Sequence, residues 1–185
     1  MAFDPTMKFC SQCAHPVSLR VPQGDTLARH VCDACGEIHY QNPKIVAGCI
    51  PEWEGQILLC RRGIEPRHGL WTIPAGFMEN GKTIEQAAAR ETWEEACARV
   101  DITGLYAVFN IPHVNQVYMI FRATLKDKEF APGIESLDTA LFDEDSIPWS
   151  EMAFPVVVQS LQRYFDDRLA NQFPPFVGTL QPIKR

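Results

Sequence analysis

No apolar run in this chain approaches the roughly 20 residues that a membrane-spanning helix needs, so a helical membrane span is excluded. The N-terminus lacks the basic-then-apolar order of a secretory signal, and nothing in it resembles a transit segment, so the expectation is a cytoplasmic protein. There is no surplus of positive charge. A formal net charge of −6 argues against broad binding to nucleic acid or acidic membranes. It leaves phosphate-containing substrates open, because a bound divalent cation inverts the sign locally. No internal repeat or low-complexity run is present, which excludes a repeat array. What remains is an ordinary soluble composition over 185 residues, enough for one domain and a small module.

Cysteine is the first thing present in informative amounts. Seven is an odd count, and without an export signal it favours metal over disulfides. Cys10, Cys13, Cys32 and Cys35 form two C-x2-C knuckles separated by residues 14–31, the spacing of a zinc ribbon. Two disulfides or a redox-active pair would use the same residues. A four-thiolate site has no open position, so zinc there is structural. His15, His30 and His39 lie nearby and read as surface or packing residues, because the ligand set is already full. Cys49 and Cys60 fall in apolar runs and read as core.

The chemistry concentrates between Gly76 and Ala98. Thr83 and Gln86 have capping-box spacing, and no proline or glycine interrupts Ile84 to Cys97, so a helix is expected there. At about 100° per residue, Ile84, Ala87, Ala88, Glu91, Glu94 and Glu95 share a face, which places three carboxylates on the inward stripe. Desolvated together they repel, and a hard divalent cation, Mg²⁺ or Mn²⁺, removes that cost. The bland reading is a surface helix laced with ion pairs, with Arg90 four residues before Glu94.

Around this helix the sequence predicts strands at 44–50, 56–62, 100–109 and 117–124, a short strand entering the loop before Gly76, and another at 139–142. Arg61 and Arg62 close the second strand; one facing the cleft would contact phosphate, and surface solvation is the alternative. Trp71 reads as core or as a stacking partner. His113, Asn115 and Gln116 offer polar groups to a substrate or simply make a hairpin loop. An amphipathic helix is expected over 154–169, with Val156, Val157, Leu161, Tyr164 and Phe165 inward. Residues 171–185 hold three prolines and read as an extended tail. The division expected is 1–43 for the ribbon, 44–152 for the main domain and 153–185 for the C-terminal helix and tail.

The stretch from Gly76 resembles the Nudix box, G-x5-E-x7-R-E-U-x-E-E-x-G-U, where U is a bulky aliphatic residue. Gly76, Arg90, Glu91, Glu94 and Glu95 match; Lys82 replaces the first glutamate, Thr92 and Ala98 replace aliphatics, and Cys97 replaces the last glycine. The resemblance implies an α+β fold: a Nudix-type α/β/α sandwich with a mixed sheet, preceded by the small zinc ribbon. It implies that Glu91, Glu94, Glu95 and the Gly76 carbonyl hold Mg²⁺ or Mn²⁺, and that Arg90 orients the glutamates. It also implies that an acid in the loop near 135–138 completes the site or acts as base, with Glu135 favoured over Asp138.

The segments FCSQC, CDACGEIHYQNPKIVAGCI, LLCRR, HGLWTIPAGF, ARETWEEA and FAPGIESLDTALFDEDSIP are most similar to the plant chloroplast FAD and ADP-ribose pyrophosphatase family and its bacterial relatives. That similarity implies hydrolysis of the pyrophosphate bond in a small nucleotide such as ADP-ribose or FAD, with AMP released. An NADH pyrophosphatase is the nearest alternative, although the S-Q-P-W-P-F-P-x-S array of that group has no counterpart in Tyr106 to Asn115. A nucleotide-sensing regulator without catalysis is another, and such regulators usually lose the metal glutamates. A homodimer through the ribbon or the C-terminal helix is left open.

Overall fold

The computed structural model describes residues 7–182. The outer ends of the expected division, residues 1–6 and 183–185, lie outside them. The chain divides at Pro43–Lys44 into two compact units.

The first unit is a three-stranded antiparallel sheet of β1 (Val17–Arg20), β2 (Arg29–Cys32) and β3 (Ile38–His39). Each knuckle closes by a backbone bond from the fourth residue after its first cysteine: Ala14 N–H donates to Cys10 C=O at 2.9 Å, and Gly36 N–H to Cys32 C=O at 3.0 Å. Both turn residues have positive φ, 61° and 78°, the conformation for which glycine is best suited. A sheet this small buries little apolar surface and relies on its metal for cohesion.

The second unit is built on a mixed sheet of β4 (Lys44–Trp53), β5 (Gln56–Arg62), β8 (Val100–Ile111), β9 (Gln116–Leu125), β10 (Ser136–Phe142) and β11 (Phe176–Thr179). Their order across the sheet is β10–β5–β4–β9–β8–β11. Two short strands, β6 (Trp71–Thr72) and β7 (Ala75–Phe77), add to β5 and β4. One helix covers each face. Helix α1 (Ile84–Ala96) packs Ala87 and Ala88 on Ala47, Cys49, Phe121 and Ala123. Helix α2 (Pro155–Leu169) packs Val156, Val157, Leu161, Tyr164 and Phe165 on the opposite face, against Ile50, Ile57, Tyr106, Phe109 and Ile120. All five inward positions expected for this helix are buried. The α/β/α sandwich with a mixed sheet is therefore the observed architecture.

Two expectations need correcting. The single short strand before Gly76 is two strands, with Pro74 between them. The segment from Asn171 is extended but not a free tail: Phe176–Thr179 pairs in parallel with Ala107–Asn110 as the edge strand of the sheet. Pro174 and Pro175 fix the approach in extended backbone. Phe176 then packs on Phe109 with ring centroids 5.5 Å apart, and Phe173 on Tyr164 at 5.5 Å. The apolar anchors, more than any local propensity, bring the segment back to the sheet.

One feature of the sheet positions the glutamates of α1. β4 pairs with β5 only at its far end, Glu52 with Ile57 and Trp53 with Gln56. Nearer its start, β7 takes the place of β5, pairing Val46, Ala47 and Gly48 with Phe77, Gly76 and Ala75. The sheet forks, and the fork opens above the second half of α1.

Candidate active site

Helix α1 begins with a complete capping box. Thr83 Oγ1 accepts from Gln86 N–H at 3.2 Å, and Gln86 Oε1 accepts from Thr83 N–H at 3.0 Å, so the helix start is pinned. Ala87, Ala88, Glu91, Thr92, Glu95 and Ala96 form its buried stripe. Thr92, where an aliphatic residue was expected, is fully buried; its hydroxyl donates to Ala88 C=O at 2.9 Å and lies 2.9 Å from Cys49 Sγ.

Two of the three glutamates go inward and one does not. Glu91 and Glu95 are buried at 8% and 7% exposure, whereas half of the Glu94 side chain is in solvent. The stripe is centred near Glu91 and Glu95, and Glu94 lies roughly 110° round the helix from its middle, so the expectation of three inward acids holds for two. Glu94 is instead held at the rim by Arg90, whose Nη1 donates to Glu94 Oε2 at 2.5 Å. The other terminal nitrogen of Arg90 donates to Glu91 Oε1 at 2.6 Å and to Phe77 C=O at 2.9 Å. One guanidinium thus ties two glutamates to the strand that contains Gly76. Glu95 Oε2 accepts from Ala75 N–H at 3.2 Å on the neighbouring strand residue.

Gly76 itself stands against the Glu91 carboxyl so closely that a Cβ there would overlap it. Any other residue would have to displace the Glu91 carboxyl. Burial raises the Glu91 pKa, opposed by the adjacent Arg90 charge. Burial pushes Glu95 further, to about 8; Ala75 N–H opposes the rise and the Glu91 charge adds to it. Two desolvated carboxylates beside backbone oxygens make a hard donor set, and a divalent cation of the Mg²⁺ or Mn²⁺ type offsets their burial cost. The residues present fit such an ion.

Loop acids and arginines sort themselves around this centre. The charge of Glu135 acts on both Glu91 and Glu95. Asp138 is turned to its own backbone, accepting from Thr139 N–H at 2.8 Å. Arg61 Nε donates to Gly69 C=O at 2.8 Å on the exposed side. Arg62 faces the fork: its charge stabilises the Glu95 carboxylate, its Nε donates to Pro66 C=O at 2.9 Å, and its guanidinium lies 5.2 Å from the Phe154 ring centre. Among the described residues it makes no ion pair. Trp71 is core, edge-on to Phe142 at 5.0 Å. His113 sits in a one-turn 3-10 helix, Pro112–Val114, that ends on Asn115 in the left-handed region. Lys82 is exposed on the turn before the helix.

The second site is the thiolate cluster. The ligand atoms of Cys10, Cys13, Cys32 and Cys35 lie within 4.8 Å of one another. The sulfur separations that approach most closely are 3.4 Å for Cys13–Cys32, 3.5 Å for Cys13–Cys35 and 3.7 Å for Cys10–Cys35. These are far longer than a disulfide bond of about 2.05 Å and suit a tetrahedron around zinc with bonds of about 2.3 Å. The Cys35 N–H aimed at Cys32, with that of Ala34, favours the Cys32 thiolate and lowers its pKa to about 6.

A forked mixed sheet between two helices, with a glycine strand laid on a glutamate helix, defines a Nudix domain; the thiolate cluster adds a zinc ribbon. Residues 42–157 match the NUDIX domain family and residues 8–41 the Nudix N-terminal zinc ribbon, and the chain belongs to the Nudix hydrolase family. A crystal structure of a NUDIX hydrolase from Nitrosomonas europaea is 57% identical, with a TM-score of 0.91 over 95% of this chain and all of that one. The NAD-capped RNA hydrolase NudC of Chromobacterium violaceum is 30% identical over 166 residues, 89% of this chain and 60% of that protein. NudC of Photobacterium profundum is 32% identical over 142 residues, 74% of this chain and 50% of that protein. The chain thus spans about half the length of these curated relatives. An ADP-ribose pyrophosphatase from Streptococcus suis shares the fold, at 20% identity and a TM-score of 0.59 over 75% of this chain and all of that one. Among the described residues no helix is long and apolar enough to cross a membrane.

Proposed function

We propose that this chain hydrolyses the pyrophosphate bond of a nucleoside diphosphate linked to a second moiety, with ADP-ribose and FAD as the leading substrates and AMP as one product. The observation that carries the reading is the pair Glu91 and Glu95, buried against the backbone of β7 at the fork of the sheet. In this reading Glu91, Glu94, Glu95 and the Gly76 carbonyl hold Mg²⁺ or Mn²⁺. Bound there, the cation supplies charge neutralisation for the diphosphate and lowers the pKa of a water. Arg90 keeps Glu91 and Glu94 aimed. Glu135 takes the proton from the attacking water. Arg62, stacked on Phe154 and in no ion pair among the described residues, contacts a phosphate oxygen through its guanidinium. Residues 1–43 serve as a zinc-held ribbon, 44–152 carry the chemistry, and 153–185 close the face behind it.

A second reading, hydrolysis of NADH or of an NAD-capped RNA end, is supported by the similarity to the two NudC proteins. The absence of the S-Q-P-W-P-F-P-x-S array between Tyr106 and Asn115 favours the first. A panel of ADP-ribose, FAD, NADH and NAD-capped RNA, each with Mg²⁺ or Mn²⁺, separates them. AMP release from ADP-ribose or FAD is the expected result. Activity confined to NADH or capped RNA selects the second reading, and no hydrolysis of any of the four overturns both.

A further inference from the structure

Glu135 lies on the loop that enters β10, and its peptide is gripped from two sides. On one side the loop is spliced to the end of α1. Ala131 N–H donates to Ala96 C=O at 2.9 Å, and Gly133 N–H to Glu95 C=O at 3.0 Å. These are two of the last four carbonyls of the helix, which have no partner inside it. The approach is so close that a Cβ on Gly133 would overlap the Glu94 carbonyl oxygen, which is helix backbone and cannot swing away. On the other side Gly63, just past the end of β5, donates its N–H to Glu135 C=O at 2.7 Å. A Cβ on Gly63 would meet that same carbonyl at 3.0 Å and its carbon at 3.2 Å. Neither glycine has a positive φ, so neither is needed for its backbone conformation. What each supplies is the missing side chain. Between them, Ser136 N–H donates to Gly133 C=O at 3.0 Å and closes the turn that presents Glu135.

We propose that Gly63 and Gly133 are positioning residues that clamp the Glu135 peptide between β5 and α1. The clamp fixes the distance from the loop carboxylate to Glu91 and Glu95, which ride on the same helix end. The inference rests on the reading of Glu135 as proton acceptor, and it adds that the acceptor is placed by contacts only glycine permits. Backbone carbonyls of α1 set the register, so the base and the helix glutamates move as one body. A side chain at Gly133 would force the loop away from the helix backbone, since its Cβ would stand 1.7 Å from the Glu94 carbonyl oxygen. One at Gly63 would require a shift of a few tenths of an ångström, so its effect should be smaller.

The test is a cycle of Gly133→Ala, Glu135→Gln and the double variant, with Gly63→Ala as a milder probe. Positioned general bases contribute about 10²–10⁴-fold, so G133A and E135Q should each lower kcat by roughly a hundredfold or more, with KM little changed. In the E135Q background G133A should cost less than about threefold further, because both changes remove one function. G63A should fall between wild type and G133A. Amide exchange gives a readout apart from activity: in G133A the Gly63 amide, bonded to Glu135 C=O in the native loop, should lose protection. A G133A loss that is equal in both backgrounds, or wild-type kcat with the Gly63 amide still protected, overturns the clamp. Wild-type kcat in E135Q overturns the reading of Glu135 itself, and the exchange measurement then decides the clamp alone. Should G133A fail to fold, the same cycle built on G63A decides the matter.

Discussion

Arg90 and Glu94 face each other across one turn of α1, with Nη1 of the arginine 2.5 Å from the Glu94 carboxylate. The same guanidinium reaches Glu91 at 2.6 Å and Phe77 C=O at 2.9 Å, so it joins a rim acid, a buried acid and β7. Removing it should loosen all three without emptying the core, since Arg90 is partly exposed. Groups that orient metal ligands typically cost 10–100-fold in affinity or activity when lost. Arg90→Ala is therefore expected to lower kcat/KM about 10–100-fold and to weaken Mn²⁺ binding, with little change in melting temperature. Arg90→Lys should rescue only in part, because an ammonium cannot span two carboxylates and a carbonyl in one plane. Wild-type kinetics in R90A would show that the glutamates hold their places unaided.

Glu95 makes a prediction about pH. Burial, opposed by Ala75 N–H and reinforced by the Glu91 charge, pushes its pKa up to about 8. A carboxyl that holds its proton more tightly when folded stabilises the fold at low pH. That contribution is lost as pH rises from the ordinary carboxylate range through about 8. In buffer without divalent cation, the stability of wild type relative to Glu95→Gln should fall by on the order of 4 kcal/mol between pH 5 and pH 9. Urea midpoints of the two proteins across that range test it. Parallel curves would mean that Glu95 ionises freely in the folded chain. With Mg²⁺ present, E95Q should lack turnover at every pH while keeping its cooperative unfolding.

The fold was legible where side-chain period and punctuation agree. The capping box at Thr83 and Gln86, the apolar stripe of α2 and the paired knuckles each state their structure locally. Glu94 shows where period alone falls short: at about 100° per residue it shares a broad face with Glu91, yet the buried arc is rotated towards Thr92 and Ala96 and leaves it at the rim. The strand at Phe176–Thr179 was hidden because its partner is distant in sequence and its flanks are prolines, which announce extension but not pairing. The grip on Glu135 was invisible for a related reason. Gly63 and Gly133 are unremarkable in their own segments, and only the approach of two backbones gives them a role.

Cys97 takes the position at which the Nudix box carries its last glycine, and it pays in conformation. It caps α1 with φ 49° and ψ 23°, its N–H donating to Trp93 C=O at 2.8 Å. A left-handed residue with a Cβ is strained by about 1–2 kcal/mol, and glycine at this cap recovers part of that after its own loss of chain entropy. Cys97→Gly should stabilise the protein by about 0.5–1 kcal/mol, a rise of roughly 1–4 °C in Tm for a chain of this size. Cys97→Val should do the reverse, since branching at Cβ suits this region least. An unchanged Tm in C97G would place the strain elsewhere in the cap.

Thiol chemistry separates the three kinds of cysteine in one titration. Cys49 and Cys60 are fully buried in the sheet core; burial raises both thiols, Cys49 to about 12, so neither offers thiolate to a reagent at neutral pH. Cys97 is half-buried at the helix end and, among the described residues, belongs to no metal-ligand cluster. Cys10, Cys13, Cys32 and Cys35 are held as a ligand set. With an aromatic disulfide reagent the native protein should therefore release one equivalent, from Cys97. A chelator strong enough to strip zinc should release four more, together with loss of amide protection in residues 10–36, because zinc supplies about 10–16 kcal/mol to such a site. The last two should react only in denaturant. C97G removes the first equivalent and leaves the other steps in place, which assigns it. Release of all four ribbon thiols without a chelator would mean that the cysteines are not bound to metal, and two fewer equivalents in denaturant would mean that a pair is oxidised.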